Sequence, residues 1–384
     1  MKLAFTLGHQ PHISRAEIEA VLSGLKLGYT ISKDTGKELL LQADSTTDAT
    51  ALMEKLGGTI KISICVETPN TQSDESRISR AANYLAKKQN GKIVFSLQGP
   101  DQKKIGLAIK QALKKMGRAS RFVEAKNTAS IIHNNLISKG GDLTLIDKKW
   151  YAGVAIQNIE KFSVRDYGRP EHDSKSGMLP PKLARIMVNL AGVHSKARLL
   201  DPFCGSGTVL VEALSLKYLN VSGSDISEKA VEDSKKNLSW FMESMPSEEK
   251  KLTQCNIQYC DARSLNSCFH HIKFDAIVSE PYLGKTLNGK ESLQQLQTQA
   301  KDLSTLYIES FSSFKKVLKR GAIVIFVIPS FKYNNQEWIK VPCLENIKKM
   351  GFKIAPFGPG KEITLSYHRP AQFITRNIYK FVKE

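Results

Sequence analysis

Four short stretches of this chain end apolar runs in residues that can do chemistry. The first, Leu199 to Thr208, reads LLDPFCGSGT: an apolar run closes on Asp201, small residues follow at Gly205, Ser206 and Gly207, and helical spacing resumes from Val209 to Leu216. Glycine at such a turn lets the backbone take positive φ or approach a ligand closely, and the helix that follows offers unpaired N–H groups. A phosphate loop carries lysine and no carboxylate, so Asp201 argues against a phosphate ligand. About twenty residues later VSGSDIS ends a second run at Asp225, the spacing at which a carboxylate reaches a ribose hydroxyl pair. A third run ends at Tyr259-Cys260-Asp261-Ala262, and a fourth, Phe274 to Val278, leads into Ser279-Glu280-Pro281-Tyr282. The implied ligand is a nucleoside, with a second polar pocket beside it.

Such residues converge when the strands run parallel, because an open parallel sheet binds ligands at the carboxyl ends of its strands. The expected fold class is α/β, a Rossmann-like doubly wound sheet. Ahead of it, SGMLPPKLARIMVNLAG predicts a helix: proline is tolerated in a first turn, and Leu183, Ile186, Met187 and Leu190 form an apolar stripe. Arg169 and Lys182 stand near it as further candidates. After Tyr282, the polar stretch Lys285 to Gln299 reads as a mobile segment near the substrate, and Leu303 to Lys319 (helix), Ala322 to Ile328 (strand) and a closing hairpin complete the sheet.

Upstream, Lys2 to Leu7 and Glu38 to Leu41 read as strands and Ser14 to Leu22 as a helix capped by Ser14, with Glu17 three residues on. Then come a helix (Ser79 to Lys88), a strand (Lys92 to Leu97) and a helix (Asp101 to Met116) with Ile105, Ile109, Ala112 and Met116 on its apolar stripe. Lys103, Lys110 and Lys114 fall on another face, and Arg118, Arg121 and Lys126 follow. Leu143 to Ile146 and Trp150 to Gln157 read as strands joined by a DKK turn, and Asn158 to Arg169 as a linking segment.

DPFCGSGT, Asp225, CDA and SEPYLG in this order resemble a class I S-adenosylmethionine-dependent methyltransferase with an amine-methylating motif of the DPPY kind. RDYGRPEHDSKSGMLPPKLA (Arg165 to Ala184) and YHRPAQFITRNIYKF (Tyr367 to Phe381) make the chain similar to the THUMP-containing RNA methylases that include the tRNA guanine-10 N2-methyltransferases. The resemblance implies a ferredoxin-like domain at 1–70, a THUMP RNA-binding domain at 71–160, a linker at 161–178 and a seven-stranded methyltransferase domain at 179–384. It implies S-adenosyl-L-methionine as cofactor, with Asp201, Gly205 and Gly207 around the methionine portion, Asp225 at the ribose, and Asp261 with Ala262 at the adenine; Phe203 is a further cofactor-side residue that packs beside the turn. SEPY aligns on DPPY in two registers, with either Ser279 or Glu280 as the acceptor facing the amine, and Glu280 is favoured because a carboxylate better stabilises a developing cation. In the register that makes Ser279 the acceptor, Tyr282 would stack on the target base beside Pro281; in the register that makes Glu280 the acceptor, Tyr282 replaces the second proline and Leu283 and Gly284 follow. For RNA contact it points to Lys110, Lys114, Arg118 and Arg121, and it admits a small activator protein as partner.

Composition bears on the partner. Lys plus Arg number 56 against 37 Asp plus Glu, a net charge of +19, which suits a polyanion. No apolar run is long enough to span a bilayer and the first residues are too polar for a signal peptide, so a cytoplasmic protein is expected. Cys65, Cys204, Cys255, Cys260, Cys268 and Cys343 show no CxxC pair, which predicts reduced thiols and no metal. The preferred function is formation of N2-methylguanosine in tRNA. Alternatives are ribosomal RNA guanine-N2 or DNA adenine-N6 methylation, and an RNA-binding homologue without catalysis; the oligomeric state stays open.

Overall fold

The computed structural model describes residues 1–66, 74–172, 178–334, 337–358, 362–369 and 372–384. The expected domain boundary at residues 70/71 and residues 173–177 of the expected linker lie outside them. The chain divides into two compact units: Met1–Pro11 with Leu25–Asn158, and His12–Gly24 with Ile159–Glu384.

The first unit is built on β1 (Lys2–Leu7), β2 (Tyr29–Asp34), β3 (Glu38–Ala43), β4 (Thr59–Cys65), β5 (Ile93–Gln98), β6 (Ser120–Phe122), β7 (Asp142–Ile146) and β8 (Lys149–Ile156). These form one sheet in the order β2-β3-β1-β4-β8-β7-β5-β6. The antiparallel run β2-β3-β1-β4 has the ferredoxin-like strand order. Asp147 and Lys148 both take positive φ, 48° and 61°, which fits a two-residue hairpin twisted like its strands, so β7 and β8 meet as the DKK turn predicts. The helix Gln102–Lys115 buries Ile109 and Leu113 with Phe95 and Trp150. Met116, expected on that stripe, is instead the exposed C-cap, and Leu113 fills the position facing the core.

The second unit holds β9 (Arg198–Asp201), β10 (Asn220–Asp225), β11 (Gln254–Tyr259), β12 (Phe274–Ser279), β13 (Leu318–Tyr333), β14 (Glu337–Lys340), β15 (Phe352–Ala355), β16 (Thr364–Tyr367) and β17 (Ile374–Lys383). Seven run in the order β11-β10-β9-β12-β13-β17-β15, with β14 paired to β13 and β16 to β17. The first five of that order are parallel and β17 is antiparallel to β13, which is the expected Rossmann-like architecture.

Helix boundaries depart from expectation where packing decides them. The first helix spans Pro11–Gly24, so Ser14 is an interior, buried residue and no cap, and Glu17 accepts from Asn189 Nδ2 at 2.7 Å. The linking segment is helical over Ile159–Tyr167, because Phe162 and Arg165 are buried. The segment read as mobile begins a 25-residue helix, Leu293–Val317, started by a reciprocal cap between Ser292 and Gln295 that the polar composition concealed. Cys260 and Cys268 are joined in a disulfide, against the expectation of reduced thiols: an eight-residue separation folded into one loop brings their Cα atoms within 6.4 Å.

Candidate active site

β9, β10, β11 and β12 end side by side, so Asp201, Asp225, Asp261, Ser279 and Glu280 gather along one edge of the sheet. Asp201 is 2% exposed; its Oδ1 accepts from Ser279 Oγ at 2.6 Å and from the Phe203 amide at 3.2 Å. Burial pushes its carboxyl up to about 7 against those two hydrogen bonds, and Asp225 and Glu280 add repulsion. Ser279 is therefore tied to Asp201, and Phe203 adds an edge contact with Phe326 to its amide bond.

The turn after β9 is shaped by two glycines. Gly205 has φ +51° and a side chain there would project into open space, while Gly207 at φ +84° leaves no room, since an added Cβ would lie 2.6 Å from Ser234 Oγ. Asp225 braces the turn, accepting from the Gly205 amide and, through its other oxygen, from the Ser227 amide, both at 3.0 Å. Gly207 then opens the helix Thr208–Ser215 without a side-chain cap.

Asp261 caps the next turn and holds Arg263 through both oxygens, at 2.6 to 3.0 Å. Hydrogen bonds from Arg263 keep its carboxyl below the usual range. Ala262 beside it is buried.

Glu280 follows β12 and is engaged by a residue the sequence reading did not single out. Arg376 on β17 reaches its carboxylate with Nε at 2.5 Å and Nη2 at 3.3 Å, and each side chain is 11% exposed. A two-pronged pair of this kind fixes the plane of the carboxylate and leaves its other lone pairs available. Pro281 is buried, Tyr282 is exposed, and the Tyr282 carbonyl accepts from the buried Tyr307 hydroxyl at 2.7 Å. Arg376 escaped notice because a lone arginine in a strand carries no motif.

In the first unit, Lys110, Lys114 and Arg121 are exposed. Arg118 is committed inward, donating to the carbonyls of Ala86 at 3.0 Å and of Gln89 and Gly91. Arg121 donates to Asn134 Oδ1.

Residues 169–338 match the UPF0020 family model, an RMKL-like methyltransferase domain. Among solved structures, TrmN from Thermus thermophilus aligns over the whole of both chains with a TM-score of 0.55 and 16% identity. The fold is a methyltransferase fold. The chain is also 34% identical over 155 residues to a tRNA (guanine(10)-N2)-dimethyltransferase of Methanothermobacter thermautotrophicus, and 33% identical over 152 residues to one of Methanocaldococcus jannaschii. Those stretches cover 40% and 37% of this chain and 40% of each relative. In this methyltransferase fold the matched region contains the turn after β9 and the Glu280 loop, and Arg376 lies beyond it.

Proposed function

We propose that the chain is an S-adenosylmethionine-dependent RNA methyltransferase that acts on the exocyclic amine of a base and forms N2-methylguanosine in tRNA. The observation that carries this is the meeting, at one sheet edge, of a nucleoside-type turn with an orientated carboxylate at Glu280. The similarity to tRNA guanine-N2 methylating enzymes supports the base and the RNA class.

The donor fits the residues present. Gly205 faces open space, Asp225 already orients the turn, and the buried acid Asp201 is chemically suited to a cationic amino group. When bound, S-adenosylmethionine supplies a methyl group on a positively charged sulfur. Asp201 holds the amino end, Asp225 the ribose hydroxyls, and Asp261 with Ala262 the adenine edge, with Arg263 sharing the Asp261 carboxylate.

An exocyclic amine is a poor nucleophile because its lone pair is delocalised into the ring. Glu280, held by Arg376, accepts from the amine and stabilises the positive charge that builds on it as it is methylated, an interaction strongest in the transition state. The backbone carbonyl beside Pro281 is a second acceptor, and Tyr282 stacks on the base, worth roughly 1 to 3 kcal/mol. In the first unit, a THUMP-like RNA-binding region, Lys110, Lys114 and Arg121 bind phosphate and set register without reading sequence. With tRNA as the proposed substrate, we infer a cytoplasmic protein.

Glu280→Gln separates the two motif registers. Turnover should fall roughly 10²- to 10³-fold, the range for losing one transition-state partner, while calorimetric affinity for S-adenosylhomocysteine stays unchanged. If Ser279→Ala abolishes turnover and Glu280→Gln does not, the acceptor is Ser279.

A further inference from the structure

The helix Leu293–Val317 packs on the sheet through a cluster of buried aromatics, and one of them carries a polar atom. Tyr307, fully buried, stands among Phe311, Phe314 and Phe326, with its ring edge-on to Phe326 at 5.3 Å. A phenylalanine would fill that place, and a hydroxyl buried there needs a partner. The partner is the Tyr282 carbonyl at 2.7 Å, in the loop that follows Glu280. Burial pushes the phenol well above its ordinary range, with Cys343 and Glu280 adding repulsion, so the hydroxyl stays a donor.

The same helix holds the loop a second time. Two turns nearer its start, Gln299 Oε1 accepts from the Lys285 amide at 3.0 Å. Gly284 takes φ +96° against that side chain, and a Cβ added there would lie 2.7 Å from Gln299 Cδ, so the loop presses on the glutamine without a gap. Beyond Lys285 the chain is also tied down: Glu291 accepts from the Asn288 amide at 2.8 Å and the Gly289 amide at 3.0 Å. Arg376 fixes Glu280 from β17, while Tyr307 and Gln299 fix the residues after it from the helix.

We infer that Tyr307 and Gln299 are positioning residues, a clamp by which the helix Leu293–Val317 sets the base-pocket loop Tyr282–Lys285 for methyl transfer. The inference rests on the reading of the Glu280 loop as the amine-binding pocket. The hydrogen bond from Tyr307 occupies the Tyr282 carbonyl, so the acceptors that the loop turns toward the amine are Glu280 and the carbonyl that precedes Tyr282. A shift of this backbone by a fraction of an ångström moves that carbonyl and the Glu280 carboxylate relative to one another, and transfer to a weakly nucleophilic amine is sensitive to such a shift.

The test compares Tyr307→Phe, which removes one hydroxyl and keeps the ring, with Gln299→Met, which removes the acceptor and keeps most of the volume. Hydrogen exchange read on peptides covering residues 281–292 should be faster in both variants, with β13 unchanged, and needs no turnover. In steady-state kinetics with tRNA, kcat should fall about ten- to a hundredfold, while KM for tRNA and calorimetric affinity for S-adenosylhomocysteine each stay within about threefold of wild type. Unchanged loop exchange, or kcat at the wild-type level in both variants, would overturn the clamp. Faster exchange that spreads into β13, with cofactor affinity lost alongside kcat, would make both residues merely structural. Wild-type protein that transfers no methyl group to RNA would contradict the function reading instead, and the exchange data then decide the clamp by themselves.

Discussion

At the scale of single residues, Asp201 sets a pH dependence. Its carboxyl is raised to about 7, so below that pH much of it is protonated and cannot receive a cationic amino group. Affinity for S-adenosylhomocysteine should weaken by about tenfold per pH unit below 7 and level off above it, and isothermal titration from pH 5 to 8 reads this directly. The effect on folding has the opposite sign. Between the ordinary carboxyl value of 3.8 and about 7 the native state holds a proton that the unfolded chain has released, so stability falls as pH rises through that window. Asp201→Asn, which keeps an acceptor for Ser279 and Phe203, should raise Tm at pH 8 much more than at pH 5 and abolish the pH dependence of binding. The gathering of Asp201, Asp225 and Glu280 at one sheet edge was legible because each stands at or next to the end of an apolar run. Arg376 was not, since only the pairing of β13 with β17 brings it to Glu280 from 96 residues away. Arg376→Met should lower turnover without loss of cofactor affinity, with Arg376→Lys recovering part of it, and single-turnover kinetics on both variants would show it.

At the scale of elements, a buried charge cluster holds the turn's helix in place. Glu212 in Thr208–Ser215 accepts from Arg165 in Ile159–Tyr167 and from Arg185 in Pro181–Ala191, and Phe162 lies against both guanidiniums with ring distances of 4.7 and 4.9 Å. Removing the shared carboxylate takes the acid away from two buried cations, so Glu212→Ala should cost about 3 to 5 kcal/mol in urea denaturation. Sequence periodicity recovered β1 residue for residue and the order strand, turn, helix around Asp201, because alternation and glycine punctuation are local signals. It missed the helix Ile159–Tyr167 and residues 293–302 of the helix Leu293–Val317. Both are polar in composition: the first is fixed by Phe162 and Arg165 packing into the second unit, the second by a cap whose two members each look like loop residues. The disulfide between Cys260 and Cys268 was equally illegible, since its geometry depends on how the loop after β11 closes.

At the scale of the whole molecule, the charge of +19 is the property that most constrains the partner. Exposed Lys110 and Lys114 can give up counterions to a phosphate backbone, whereas Arg118 is spent on carbonyls within its own unit. Replacing Lys110 and Lys114 by alanine should reduce the slope of log affinity for tRNA against log salt by about 1.5 with Tm unchanged; Arg118→Ala should lower Tm. Filter binding across a salt series, paired with thermal melts, distinguishes the two. The most direct measurement of the central proposal is incubation of the protein with labelled S-adenosylmethionine and unmodified tRNA, followed by nucleoside analysis. Labelled N2-methylguanosine is the expected product, lost in Glu280→Gln; tRNA that binds and carries no label, or label in a nucleoside other than an N2-methylated guanosine, would contradict it.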